Sequence, residues 1–322
     1  RYGYLWTIAG FDVYATWLVI PVCVGALLCI INTKGIKIST IFQAVVTTIL
    51  AVGGIAFAII SGMNGSIENM KPLFTSANGM FSVVLAVPAM FVGFDVIPQV
   101  AEEMNLPLKK IPAAIVASIL LAAGWYIMII LASSFAAPNE ILGREGLSVV
   151  NAVNYAANRP IAGKLIVVTA IMGILSSWNG FIIGATRVLY SMGRAKMLPN
   201  FFGKLHKKYH TPVNAIVFIG VITILTPLLG KNSLGWFVDA SAFGTVIAYL
   251  MVTISFVILR ITCKDLPRPF RVKHGMIVGI IAVIISLFFV SLYLPVGNCS
   301  LSGVEWVIVG VWVGSGMLFY LL

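Results

Sequence analysis

The chain has 322 residues, of which 60% are hydrophobic and only 10% are charged, and its mean hydropathy is +1.04. Soluble globular domains carry about 25% charged residues, so this composition excludes a soluble domain and predicts an all-α polytopic membrane protein. The net charge of +11 would favour a nucleic-acid partner in a soluble protein; here the basic residues lie in short loops between apolar segments, so we expect no nucleic acid.

Apolar segments long enough to cross a bilayer, which takes about 20 helical residues, recur along the whole sequence. The residues before position 13 are expected to form a loop that leads directly into the first span. We predict a single transmembrane domain over residues 1–322 with nine spans, at residues 13–31, 38–61, 81–101, 113–135, 164–192, 213–229, 236–259, 276–294 and 305–321.

The third predicted span, residues 81–101, combines apolar character with features that interrupt a helix. Pro88 removes a backbone donor, and Gly93 tolerates backbone angles that other residues resist. We predict a break near Gly93-Phe94-Asp95. Broken backbone at membrane depth survives only where it faces protein or a water-filled cavity, and an ionisable residue there favours a functional site. The structural alternative is a kinked helix whose Asp95 pairs inside the bundle.

A short segment after the fourth predicted span, Gly146–Ala157, has its own helical pattern. Its apolar residues recur at helical spacing, at Leu147, Val150, Val153 and Ala157. We predict a short interfacial helix, which either covers an outer vestibule or simply closes the loop.

The basic residues alternate between two sets of loops, as the positive-inside rule describes. The larger set, predicted to be cytoplasmic, comprises Lys34, Lys37, Lys109, Lys110, Arg187, Arg194, Lys196, Lys204, Lys207, Lys208, Arg260, Lys264, Arg268, Arg271 and Lys273. The smaller set, predicted to lie outside, comprises Arg1, Lys71, Arg144, Arg159, Lys164 and Lys231. On this assignment the chain starts outside and ends inside.

Residue patterns typical of metal binding or catalysis do not occur in this sequence. The four cysteines and three histidines show no metal-ligand spacing, and there is no nucleotide-binding or hydrolytic motif. We therefore predict that the protein is not an enzyme and has no catalytic residue, no metal site and no cofactor other than a coupling ion.

Two motifs carry a resemblance to a known family. The first motif is at residues 91–115, FVGFDVIPQVAEEMNLPLKKIPAAI. It resembles the sixth helix and following loop of the amino acid–polyamine–organocation (APC) permeases. It departs from the family pattern in one place, where Leu106 separates Asn105 from Pro107. The family's eighth helix and its next loop resemble residues 182–202, IIGATRVLYSMGRAKMLPNFF. Because the two motifs stand about 80 residues apart, as the family places them, together they are more specific than either alone.

The resemblance covers essentially the whole chain and implies a fold like that of the leucine transporter, with two inverted five-helix repeats. In this register the broken span is the family's sixth helix, and the chain runs from just before the fourth helix to the twelfth, without helices one to three. We therefore expect an N-terminally truncated sequence, and we expect these 322 residues alone neither to bind substrate tightly nor to transport it.

The resemblance also implies where a substrate binds, because family members hold an amino acid between broken helices one and six. Several members carry an aromatic lid where this chain has Ala89, which leaves either room for a larger substrate side chain or a lid supplied by Phe91 or Phe94. Asp95 could pair with helix one or eight as a gate. The implied substrate-binding residues are Ala89, Phe91, Val92, Gly93, Phe94 and Asp95, with Trp178 and Asn179 on the eighth helix.

Adjacent hydroxyls on the fifth predicted span, Ser176 and Ser177, have two interpretations. They could bond back to helix carbonyls. In sodium-coupled relatives of the fold, hydroxyls on this helix instead ligate a sodium ion, a hard cation that prefers oxygen. Some members place a lysine at the centre of helix five, and residues 38–61 contain none. The coupling ions considered are Na⁺ and H⁺, and the missing lysine favours sodium coupling or exchange.

Together these features predict a secondary active amino acid transporter of the cell membrane that works by alternating access, with ion coupling or exchange. Its predicted partners are the amino acid substrate and membrane lipid. The alternative on the same fold is a non-transporting amino acid sensor or a partner subunit. A channel is disfavoured because the polar breaks are isolated and form no continuous stripe. We make no prediction of the transported amino acid or of the oligomeric state.

Overall fold

The computed structural model describes residues 2–8, 10–73, 76–104, 106–230, 233–295 and 300–321. The described part begins with an antiparallel hairpin, β1 (Tyr4–Ile8) and β2 (Phe11–Tyr14), and is otherwise mostly helical. Its helices are α1 (Ala15–Thr33), α2 (Ile36–Asn64), α3 (Ala77–Met90), α4 (Val96–Gln99), α5 (Ile111–Ala136), α6 (Asn139–Leu142), α7 (Ser148–Ala157), α8 (Pro160–Arg194), α9 (Val213–Leu225), α10 (Leu234–Thr262), α11 (Gly275–Tyr293) and α12 (Gly303–Leu321).

The hairpin corrects the prediction of a loop before the first span. Aromatic and β-branched residues predominate in both strands, and Gly10 takes a φ of +72° in the turn between them. The indole Nε1 of Trp6 donates a hydrogen bond to the carbonyl of Leu228 at 2.9 Å, which fixes the hairpin to the 3₁₀ turn that follows α9. The first membrane helix therefore begins at Ala15 and not at residue 13.

Seven helices of the described chain are long and apolar enough to cross a membrane: α1, α2, α5 with the turn before it, α8, α10, α11 and α12. The other two predicted spans correspond to the shorter apolar α9 with its 3₁₀ turn, and to the broken pair α3 and α4. The prediction of a polytopic helical membrane protein is confirmed. The number of nine crossings stays a prediction.

The helices pack closely through small residues. A Cβ added at Gly53 of α2 would overlap Thr169 of α8, and one added at Gly54 would overlap Trp125 of α5. Such contacts are typical of membrane helices, which gain little from burying apolar surface because lipid already covers it. Accordingly, large apolar side chains also face outward, with Leu121 of α5 75% exposed.

The short helix predicted between residues 146 and 157 is confirmed as α7, but its buried face differs from the predicted one. Ala152 and Val153 pack into a cluster with Phe57 of α2 and Ala132 of α5, whereas Leu147 is 59% exposed. The helix thus contacts α2, α5 and α8 along its length and is more than a surface element.

Candidate functional site

The third predicted span is broken at the predicted position. Helix α3 ends at Met90, residues 91–95 form turns, and α4 begins at Val96. Gly93 takes a φ of +129°, a value that residues with a side chain rarely adopt. A Cβ added at Gly93 would meet no described atom within 4 Å, so the backbone angle, rather than crowding, explains the glycine.

The carboxylate of Asp95 closes this turn. Its Oδ1 accepts the backbone N–H of Gly93 at 2.8 Å, and its Oδ2 accepts a hydrogen bond from Nε2 of Gln99 at 3.3 Å. The side chain is half-buried. Both hydrogen bonds stay within the broken helix, which is the geometry of the structural alternative, in which Asp95 fixes the break.

A cavity of about 240 Å³ opens between the turn and α5. At its edge, the hydroxyl of Tyr126 donates to the carbonyl of Met90 at 2.8 Å and so satisfies one of the carbonyls that a helix end leaves unpaired. The ring of Tyr126 also lies 5.7 Å from the ring of Phe91. Four of the predicted substrate residues line this cavity: Phe91, Val92, Gly93 and Phe94.

Helix α10 also reaches the break, through Tyr249. Its ring centroid lies 5.5 Å from that of Phe94. The Tyr249 hydroxyl is buried, and within the described chain it is the one buried side-chain polar atom that finds no hydrogen-bond partner. Such a group is costly unless a water molecule or a ligand group pairs with it, so this hydroxyl is a candidate contact for a polar ligand group. Tyr249 is not among the residues predicted from the sequence, although a lone phenol in the apolar run VIAYLMV was its signal.

The other predicted substrate residues are not among those that the described structure places on this cavity. Trp178 of α8 lines a separate cavity of about 480 Å³, which is bounded by β2, α1 and α9. Ala89 belongs to the last turn of α3, and its side chain is outside the described part of the structure. That these residues contact substrate stays a prediction.

Asn179 holds three helices together. Its Oδ1 accepts a hydrogen bond from Nδ2 of Asn32 in α1 at 2.8 Å. Its Nδ2 donates to Oγ of Ser39 at 3.1 Å and to Oε1 of Gln43 at 3.0 Å, both in α2. Asn32, Ser39 and Asn179 are almost completely buried. Because buried polar groups are stable only when paired, this network fixes how α1, α2 and α8 sit against one another.

Comparison with known protein families shows to which family the chain belongs. The family whose model matches residues 2–318 is described as "Amino acid permease". The chain belongs to this permease family. The resemblance to APC permeases that the two motifs carried is thereby confirmed.

Relatives of this chain are named as transporters of several different substrates. The methylthioribose transporter of Bacillus subtilis (strain 168) is 27% identical over 92% of this chain and 62% of its own length. The branched-chain amino acid permease BcaP of the same organism is 26% identical over 79% and 53%, respectively. The b(0,+)-type amino acid transporter 1 of Rattus norvegicus is 28% identical over 92% and 60%. The chain thus spans between half and two thirds of the length of these relatives.

The two hydroxyls predicted to bind an ion have different surroundings. Oγ of Ser176 accepts a hydrogen bond from Nε2 of Gln43 at 2.6 Å and lies 3.2 Å from Oγ1 of Thr47, whereas Ser177 is exposed. A sodium site needs several oxygen atoms that converge on one point. Ser176 and Ser177 thus have different surroundings, and both their role in ion binding and the identity of the coupling ion stay predictions.

Proposed function

We propose that the protein carrying this chain is a secondary active amino acid transporter of the cell membrane and that the turn at residues 91–95 is part of its substrate site. The observation that carries the proposal is the glycine-centred break inside an apolar helical bundle of the permease family. Peptide groups at a break lie outside the regular helix, and at membrane depth such groups hold substrates and ions in many secondary transporters.

The break offers an amino acid both polar and apolar contacts. Peptide groups of the turn and the buried hydroxyl of Tyr249 would bind the substrate's carboxylate and α-amino groups. The cavity between the turn and α5 would receive its side chain. At about 240 Å³, this cavity lies below the ~300–1,000 Å³ typical of pockets for drug-sized ligands, as suits a smaller molecule.

The cavity lining favours a neutral substrate with an apolar side chain. Phe91, Ile97 and Ile119 contribute to the lining, and no charged residue does so in the described chain. A cationic or acidic side chain would lose its hydration there without gaining a partner, which is costly. The relatives named for branched-chain amino acids and for methylthioribose indicate that substrates differ within the family, so the lining, and not the names, carries this choice.

Uptake by the full-length protein in proteoliposomes tests the proposal. The panel compares leucine, isoleucine, valine and phenylalanine with arginine, glutamate and methylthioribose. We expect saturable uptake of the apolar amino acids. Saturable uptake of methylthioribose alone would assign a different substrate class, and amino acid binding without uptake would favour a sensor.

A further inference from the structure

Three polar residues follow one another at intervals of four from the break onward: Asp95, Gln99 and Glu103. Gln99 ends α4 and donates to Asp95, and Glu103 ends the 3₁₀ turn that comes next. In helical segments, residues four apart lie on one face. Here that face is turned toward α8, which contacts both Gln99 and Glu103.

The first contact is a close approach at Gly184 of α8. A Cβ added at this buried glycine would overlap Oε1 of Gln99 and would lie 3.0 Å from Cγ2 of Val96. A side chain at position 184 would therefore displace the Gln99 amide from its place against α8 and would crowd Val96. The glycine lets the Gln99 amide, which also holds Asp95, rest directly on the α8 backbone.

The second contact is an ion pair between Glu103 and Arg187, one turn further along α8. Nε of Arg187 donates to Oε1 of Glu103 at 2.9 Å, and Nη2 donates to Oε2 at 3.2 Å, which is the paired geometry that guanidinium and carboxylate groups favour. The Arg187 side chain is only 6% exposed and that of Glu103 is 37% exposed. The other ion pair of the described chain, Lys71 with Glu68, is exposed.

We infer that Arg187 is a positioning residue for the substrate site: by holding Glu103, it fixes the half of the broken helix that carries Asp95 against α8 and so sets the conformation of the Gly93 turn. The inference rests on the proposed function. It also gives a physical reason why the two family-like motifs occur together, since Glu103 lies in the first and Arg187 in the second.

A positioning role makes a different prediction from a purely stabilising one. A buried ion pair adds little net stability because desolvation offsets the attraction, and replacing both charges by apolar residues is often neutral for stability. Removing a single partner instead leaves an unpaired charge. The double variant Glu103→Leu with Arg187→Met therefore separates the two roles, because it removes the link without leaving a buried charge.

The experiment compares the full-length wild type, this double variant, Arg187→Lys and the control Arg194→Met in proteoliposomes. Arg194 is a suitable control because it lies on the same helix, is exposed, and its guanidinium contacts the hydroxyl and ring of Tyr190 rather than a carboxylate. We expect the double variant to keep the thermal stability of the wild type but to raise the KM for leucine about tenfold, a coupling of ordinary size between linked sites. Arg187→Lys keeps the positive charge but loses the planar guanidinium, so its KM for leucine should lie between those of the wild type and the double variant. The control should match the wild type.

Hydrogen exchange at the backbone amides of residues 96–103 gives a second readout that needs no substrate. We expect exchange there to be about tenfold faster in the double variant than in the wild type, because the segment has lost its tie to α8. Unchanged KM together with unchanged exchange in a stable double variant would overturn the positioning role. Wild-type protein that transports no amino acid would instead refute the proposed function, while the exchange measurement would still test the tie to α8.

Discussion

At the scale of single residues, Gly93 shows how one backbone angle can define a site. Its φ of +129° is unfavourable for any residue with a Cβ, although a Cβ there would meet no atom of the described residues within 4 Å. The requirement for glycine is therefore conformational, and a side chain at this position acts by changing the turn rather than by filling it.

The first prediction concerns Gly93→Ala in the full-length protein. Forcing alanine into this angle costs on the order of 1–2 kcal/mol, so we expect the Kd for leucine to rise about tenfold. The matched control is Gly124→Ala in α5, where the glycine is helical and a Cβ also meets open space. Alanine there should leave the Kd unchanged. Wild-type affinity in Gly93→Ala would place the substrate elsewhere.

The second prediction uses the two tyrosines near the break, whose hydroxyls differ in pairing. Tyr249→Phe removes a hydroxyl without a described partner and should raise the melting temperature while weakening leucine binding. Tyr126→Phe removes a donor to the carbonyl of Met90 and should lower the melting temperature. Both are measured by thermal unfolding in detergent with and without leucine. Leucine binding by Tyr249→Phe that is as tight as in the wild type would contradict a contact between this hydroxyl and the substrate.

The third prediction compares the contributions of Ser176 and Ser177 to sodium binding, under the hypothesis that uptake is coupled to sodium. Only Ser176 has its oxygen directed at α2, so Ser176→Ala should raise the sodium concentration for half-maximal uptake about fivefold, roughly the value of one polar contact. The exposed Ser177→Ala should not change it. Uptake that ignores sodium and follows a pH gradient would reject sodium coupling.

At the scale of elements, the sequence predicts where a helix breaks better than it predicts which helices contact one another. The break between α3 and α4 follows from glycine and proline chemistry that acts within a few residues. The hairpin was not predicted because Tyr4–Ile8 lacks the alternation of apolar and polar residues that marks a half-buried strand, although its aromatic and β-branched residues favour extended backbone. The network around Asn179 and the buried hydroxyl of Tyr249 depend on which helices meet, and helical periodicity alone does not specify that.

The fourth prediction tests the element-level role of Asn179. Asn179→Ala would leave polar groups of Asn32 and Ser39 buried with fewer partners, so the free energy of unfolding should fall by about 1–3 kcal/mol. Ser177→Ala, two positions earlier and exposed, is the control and should stay within about 0.5 kcal/mol of the wild type. Chemical or thermal unfolding in detergent measures both. Equal loss in the two variants would contradict the network's role.

At the scale of the whole molecule, the apolar outer faces of the helices and the family relationship describe a multi-pass membrane protein. We propose nine crossings, counting α9 with its 3₁₀ turn and the broken α3–α4 pair as spans. Membrane lipid is the proposed neighbour of exposed side chains such as Leu121. The claim that unites these features is that a transported amino acid sits at the Gly93 turn.

Protection of a cysteine at the turn tests that claim most directly. Val92→Cys is introduced into the full-length protein after replacement of Cys23, Cys29, Cys263 and Cys299, and its alkylation by N-ethylmaleimide is timed with and without leucine. With leucine at about ten times its Kd, we expect alkylation at position 92 to slow about tenfold, because few sites stay empty. Lys204→Cys in the same background, at an exposed position in the loop after α8, should react at one rate with and without leucine. Equal rates at position 92 with and without leucine, in protein that transports leucine, would contradict the account.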